Sequence, residues 1–160
     1  MNKTFWSGRK VLLTGHTGFK GSWLGIWLIS LGADVRGVSL AANTNPSLYQ
    51  ELELHQDLDH IECDIRDQNS LHKYVSEFRP EVVFHLAAQP LVRRSYSNPV
   101  ETYSTNVMGT LNLLEAIKAT SSVRAVVNIT TDKCYENREW VWGYRETDAL
   151  GGHDIYSSSK

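Results

Sequence analysis

Tyr156 and Lys160 stand four positions apart in Tyr156-Ser157-Ser158-Ser159-Lys160. On a helix that spacing stacks both side chains on one face. An ammonium placed there lowers the pKa of a phenol and turns a poor base into a usable one. Alone the pattern is common, and an exposed amphipathic pair is its ordinary meaning. A second run, Thr131-Asp132-Lys133, follows a stretch rich in β-branched residues. A hydroxyl, a carboxyl and an amine at one strand end can hold a substrate hydroxyl and move protons, or they can form a solvated turn with a surface ion pair. The third constellation is Gly15, His16, Thr17, Gly18, Phe19, Lys20 and Gly21, entered from apolar Val11-Leu12-Leu13. Here Gly15 lets the chain turn sharply, Gly18 removes a side chain where a pyrophosphate approaches, and Gly21 permits close helix-on-sheet packing. The helix N-terminus beyond it offers free N–H groups and positive potential to an anion. His16 and Lys20 either touch phosphate or ribose or are solvated loop residues.

These groups need elements to carry them. Apolar runs of strand length alternate with segments of helical period, which predicts a parallel sheet covered by helices on both faces: an α/β, doubly wound, Rossmann-type domain. Strands are expected at residues 10–14, 34–39, 60–64, 81–86 and 124–130. Helices are expected at 18–31, with Trp23, Trp27 and Leu31 one turn apart, at 70–78, presenting Leu71, Tyr74, Val75 and Phe78, and at 99–120 as one long element. Ligands of such a sheet bind outside the carboxyl ends of the strands, where all three constellations fall.

Further motifs lie at the same edge. Asp64 and Ile65 follow the third strand, where a carboxylate can accept a hydrogen bond from an adenine amino group; a helix-capping Asx turn is the alternative and better suits Asp67 or Asn69. The small residues of Ala87-Ala88-Gln89 after the fourth strand let a dinucleotide backbone pass closely. Asn106 opens Asn106-Val107-Met108-Gly109-Thr110 and is either a brace for the active-site backbone or a core-facing amide. Trp140, Trp142, Tyr144 and Arg145 either line a sugar-nucleotide site or pack a hairpin. An acidic residue at the end of the second strand would mark NAD through its ribose 2′-hydroxyl. Ser39 stands there instead, and Arg36 leaves a 2′-phosphate open.

In family order, Thr-Gly-x-x-Gly-Phe-x-Gly at Thr14–Gly21, the Asp-hydrophobic pair, His-x-Ala-Ala from His85, Asn-x-x-Gly-Thr from Asn106 and the Tyr156/Lys160 pair resemble the extended short-chain dehydrogenase/reductase family. The resemblance spans nearly the whole chain and narrows to its nucleotide-sugar 4,6-dehydratases. It implies that Asp64 by its side chain and Ile65 by its backbone hold adenine, that Thr131 binds the reacting hydroxyl, and that Asn106 steadies the site. Thr-Asp-Glu is the form in enzymes acting on dTDP-glucose. Lys133 departs from it, which points to CDP-glucose or a similar nucleotide sugar. The implied roles are Tyr156 with Lys160 at the sugar O4, Lys133 as base at C5 and Asp132 as acid at the C6 hydroxyl. An internal redox cycle of this kind needs a cofactor oxidised at rest, so NAD is expected. Relatives also include epimerases, and a dinucleotide-binding module without turnover is a further reading, because the substrate-binding part is expected beyond residue 160.

Bulk properties agree with one globular domain over 1–160: 160 residues, 41% hydrophobic and 21% charged, with a formal net charge of -2. There is no Lys/Arg-rich run to mark nucleic acid or an anionic membrane, no metal-ligand spacing, and no apolar stretch of spanning length. Cys63 and Cys134 read as buried free thiols, as suits a reducing compartment, and the cytoplasm is the expected location. A homo-oligomer is expected by analogy with the family.

Overall fold

The computed structural model of the chain describes residues 2–160. A short helix α1 (Lys3–Trp6) precedes β1 (Lys10–Thr14), α2 (Phe19–Ser30) and β2 (Asp34–Ser39). Next come a one-turn α3 (Leu48–Glu51), a 3-10 turn at Leu54–Gln56, β3 (Asp59–Glu62), α4 (Gln68–Phe78) and β4 (Val82–His85). All four strands, with β5 (Ala125–Asn128), form one parallel sheet in the order β3-β2-β1-β4-β5. The order reverses between β1 and β4, which opens a crevice at their carboxyl ends.

Alternation along β1 explains the layering. Val11 and Leu13 face one side, against Trp6, Leu28, Tyr49, Leu54 and Leu58, while Leu12 faces the other with Leu71, Val75, Phe78, Leu113 and Ala116. Both faces are covered, so the strand reads as one continuous apolar run.

Several expectations change, among them the extents of the fourth and fifth strands, expected over 81–86 and 124–130 and observed as Val82–His85 and Ala125–Asn128. The helix expected over 99–120 is interrupted: α5 (Val92–Ser97) comes first, then α6 (Pro99–Tyr103), a π-helical segment (Ser104–Gly109) and α7 (Thr110–Lys118). The third strand ends at Glu62, so Asp64 and Ile65 lie in the loop beyond it, and Asp67 caps α4 through a bond from Ser70 N at 3.1 Å. The Trp stripe of α2 faces outward, Trp23 being 54% and Trp27 49% exposed. What α2 turns to the sheet is Gly21, Ser22, Gly25 and Leu28. A Cβ added to Gly25 would already touch Leu13, Leu58 and Leu54 at 3.6–3.9 Å, so an indole has no room there and close backbone approach decides the orientation.

Every residue of β5 is solvent-exposed, and a row of apolar side chains, Val100, Tyr103, Val107, Leu111 and Leu114, is exposed along α6, the π segment and α7. Cys63 is buried and Cys134 only partly, neither in a disulfide. Among the described residues no helix is long and apolar enough to cross a membrane.

Candidate active site

The crevice is floored by the glycine turn. Gly15 has a φ of +74°, the left-handed region that side chains avoid, and a Cβ there would come within 2.6 Å of Ala87 N. A Cβ on Gly21 would overlap the Gly15 carbonyl oxygen. Gly18, at the N-cap of α2, is exposed and supplies no side-chain cap. The first-turn N–H groups of α2 therefore have no intrahelical or capping partner, the condition for holding an anion. A pyrophosphate fits this cradle. Phe19 and Lys20 are exposed at its rim, whereas the His16 ring is fully buried.

His16 packs over Gly37, whose added Cβ would sit 2.5 Å from the ring, and its Nε2 lies 2.7 Å from His60 Nδ1 with Tyr49 edge-on. Of the two uses expected for it, the solvated position does not describe that fully buried side chain. The reason is non-local, since Gly37 on β2 creates the space and nothing near His16 in sequence announces it.

On the other flank, Thr14 and His85 at the ends of β1 and β4 anchor a buried network. Thr14 Oγ1 is 2.6 Å from His85 Nδ1, and His85 Nε2 is 2.9 Å from Thr110 Oγ1. The Thr110 hydroxyl donates to Asn106 O at 2.7 Å. It therefore accepts from His85 Nε2–H, which assigns the neutral tautomer with Nδ1 accepting from Thr14. Asn106, buried within the π segment, continues the network: its Oδ1 accepts from Gln89 N at 2.8 Å and its Nδ2 donates to Gln89 O at 3.2 Å and to Ser159 Oγ at 2.8 Å. Both amide hydrogens of Gln89 are spent on Leu91 O and Thr102 Oγ1. Ser159, between Tyr156 and Lys160, in turn donates to Tyr156 O at 2.7 Å. The His85 and Ser159 links were not singled out by motif; His85 was legible only as the first letter of His-x-Ala-Ala.

The Tyr156 segment is helical for one turn, α8 (Ile155–Ser158), capped by Asp154, and Lys160 lies just past it. Burial lowers the pKa of Lys160, and its Nζ donates to Ile129 O at 3.0 Å, two residues before Thr131. α8 also packs against the 3-10 turn Asp132–Cys134. Tyr103 OH lies 2.6 Å from Ser158 Oγ, tying α8 to α6. The glycine turn, the β4 end, the Thr131 run and the Tyr156 segment thus meet around one crevice. Within the run, Thr131 Oγ1 donates to Asp132 Oδ1 at 3.1 Å and accepts from Lys133 N at 3.4 Å, while the Asp132 and Lys133 side chains are exposed.

Near the outer end of the crevice, Arg66 grips both Asp64 carboxylate oxygens, 3.0 and 2.9 Å from Nε, and this hydrogen bonding holds the acid below its usual range. Asn112 fixes the loop by donating to Ile65 O and Arg66 O. Trp140, Trp142 and Tyr144 cluster with Tyr135, whose ring stacks on Tyr144 at 5.1 Å. Arg145 is exposed, its backbone N bonded to Asp148. Among the described residues no His/Cys/Asp/Glu cluster could hold a metal ion.

Burial, reinforced by the neighbouring His60 for His16 and by Lys160 for His85, lowers both rings to about 4. Free imidazole sits near 6.5, so between these values the unfolded chain takes up protons that the folded chain refuses. The stability present above about pH 6.5 should fall toward pH 4, by at most about 1.4 kcal/mol per pH unit for each ring. Urea midpoints at about pH 7 and pH 5 should differ accordingly, and His85→Gln should flatten the slope. Equal midpoints would mean that these rings are not held neutral by burial.

A parallel sheet in this order, with its glycine turn and Tyr/Lys pair at one crevice, defines an extended short-chain dehydrogenase/reductase domain. The family model for GDP-mannose 4,6-dehydratase matches residues 12–160, and the chain belongs to that family. It is 58% identical over its full length to CDP-glucose 4,6-dehydratase of Salmonella typhimurium, of which it covers 45%. It is 32% identical to CDP-paratose 2-epimerase of Salmonella typhi, with 87% of this chain and 41% of that protein covered. Among solved structures, UDP-glucose 4-epimerase of Thermus thermophilus in complex with NAD superposes with a TM-score of 0.82 at 29% identity, over 94% of this chain and 47% of that one. The UDP-glucose-bound Thermotoga maritima 4-epimerase gives 0.83 at 29% identity, over 94% and 47%. The chain thus spans just under half the length of these relatives.

Proposed function

We propose that this chain carries the NAD-binding and catalytic part of a nucleotide-sugar 4,6-dehydratase that converts CDP-glucose to CDP-4-keto-6-deoxyglucose. The observation that carries the reading is the junction of the Thr131-Asp132-Lys133 run with the Tyr156/Lys160 segment beside the glycine turn, supported by the identity to the Salmonella typhimurium enzyme. Gly15 to Gly21 would hold the pyrophosphate on backbone N–H groups, with Asp64 and Ile65 at adenine, Ala87, Ala88 and Gln89 along the wall and Asn106 bracing it. Bound NAD would supply a hydride acceptor at the sugar C4 and return the hydride at C6.

The chain's own residues handle the protons. Thr131 positions the O4 hydroxyl and Tyr156, paired with Lys160, takes its proton, which leaves a 4-keto sugar whose C5–H is acidified. Lys133 then removes the C5 proton and Asp132 protonates the departing C6 hydroxyl, so that water leaves across C5–C6; Lys133 gives the proton back to C5 when C6 is reduced. Both side chains are exposed in this structure, so the desolvation their roles require comes with the bound sugar. The exposed row from Val100 to Leu114 supports pairing with a second copy, a homo-oligomer to be checked by light scattering. The free thiols suit a reducing compartment such as the cytoplasm.

The test is incubation with CDP-glucose and NAD, with the 4-keto-6-deoxy product read by its absorbance in base. Lys133→Ala and Asp132→Asn should each lower turnover by roughly a hundredfold; unchanged dehydration would remove them from these roles. Retention of the C6 oxygen by mass spectrometry would favour an epimerase. Bound NAD without product would favour a binding module.

A further inference from the structure

α8 spans only Ile155–Ser158, and so short a helix has little stability of its own, so the place of Tyr156 is set by what grips the turn from outside. Lys160 Nζ holds its far end to the exit of β5 through Ile129 O. The other grip comes from α6 and the π segment, at two residues one turn apart. Asn106 Nδ2 donates to Ser159 Oγ at 2.8 Å, and the Tyr103 hydroxyl lies 2.6 Å from Ser158 Oγ. The direction of that second bond follows from its surroundings. Ser158 has one hydroxyl hydrogen, and it faces Asp154 O at 2.9 Å and Ile155 O at 3.3 Å. Tyr103 therefore donates and Ser158 accepts. Residues two apart on a helix stand about 200° apart, so Tyr103 holds α8 by the face opposite Tyr156.

We infer that Tyr103 is a positioning residue for the reaction, its hydroxyl setting, through Ser158, the reach of Tyr156 toward the sugar O4. Asn106 holds the same turn one residue further on and also bonds Gln89, so it fixes the turn to the wall beyond β4. Tyr103 fixes the roll of the turn, because a segment pinned at Ser159 and Lys160 alone can still rotate about the line joining them. The bond is open to solvent and is weak as a stability device. Its leverage is geometric, since a small displacement of a reacting group costs far more in rate than in folding energy. This deepens, and rests on, the assignment of Tyr156 as the base at O4 in the dehydratase reading.

The test compares Tyr103→Phe with Ser158→Ala in steady-state turnover of CDP-glucose with NAD and in amide hydrogen exchange. Each should lower kcat by roughly three- to tenfold, the effect of one hydrogen bond. The KM for CDP-glucose and the affinity for NAD should stay nearly unchanged. The double variant should lose no more than either alone, because both substitutions delete the same bond. Ser158→Thr keeps the acceptor and should restore most of what Ser158→Ala loses. The amides of residues 158–160, bonded to Asp154 O, Ile155 O and Ser157 O, should exchange faster in Tyr103→Phe by a similar factor while β1 stays protected. Unchanged kcat and exchange in Tyr103→Phe, or additive losses in the double variant, would overturn the role of Tyr103 and leave the dehydratase reading standing. No turnover by the unsubstituted protein would instead overturn that reading, and exchange, which needs no substrate, would then decide whether Tyr103 holds α8.

Discussion

Tyr156→Phe should abolish nearly all turnover of CDP-glucose, by about a thousandfold or more, while leaving NAD affinity within a few fold. The loss is that expected on removing a positioned general base, and the phenol oxygen is all that the substitution deletes. No described hydrogen bond uses that oxygen; the segment is held through Ser157 to Asp154, Ser158 to Tyr103 and Ser159 to Asn106. The fold should therefore survive. Single-turnover assays with bound NAD, alongside thermal melts, separate the chemistry from stability, and near-normal turnover would remove Tyr156 from the reaction. Lys160→Met should do comparable harm and also shift the melt, because it empties the contact between Nζ and Ile129 O.

Gly21→Ala should cost the dinucleotide site outright. Its methyl group would occupy the position of the Gly15 carbonyl oxygen and press on His16 Cα, so either α2 lifts from the sheet or the turn opens. Overpacking of this kind typically costs 1–3 kcal/mol, and displaced N–H groups no longer converge on a pyrophosphate. NAD affinity should drop by about a hundredfold or more, measured by calorimetry on whatever fraction stays folded. Gly143→Ala, far along the chain from the turn, is the control, since a Cβ there meets nothing within 4 Å. If both variants bind NAD alike, the turn is not the cradle.

The legibility of these features in the sequence follows from their range. Gly15 and Gly21 announce themselves because a sharp turn and a close helix approach make local demands that only glycine meets. The strands of residues 10–14 and 34–39 were legible for the same reason, as apolar runs closed by turn residues. Trp23 and Trp27 misdirect because helical periodicity identifies a stripe without saying which stripe the sheet takes, and here the small residues Gly21 and Gly25 take it. His16, in the turn beyond β1, and Gly37, inside β2, fit one another only in three dimensions. The same holds for Asn106 and Ser159, bonded across 53 positions. Motif order could place Tyr156 and Thr131 in one enzyme, but the Lys160 contact with the Ile129 carbonyl that brings them together is a tertiary fact.

The π-helical segment Ser104–Gly109 is the wide turn that aims Asn106 at both Gln89 and Ser159. Such a bulge behaves as one surplus residue wound into an α-helix. Deleting a single residue between 104 and 109 would restore regular winding and strengthen the helix's own ladder. It would also rotate everything on one side of the cut by about 100° relative to the other, parting Asn106 from Thr110 and the Tyr156 segment. A shortened protein of that kind would make a better helix and a poorer catalyst, which makes the segment a place where length polymorphism should be tolerated by the fold and rejected by the chemistry.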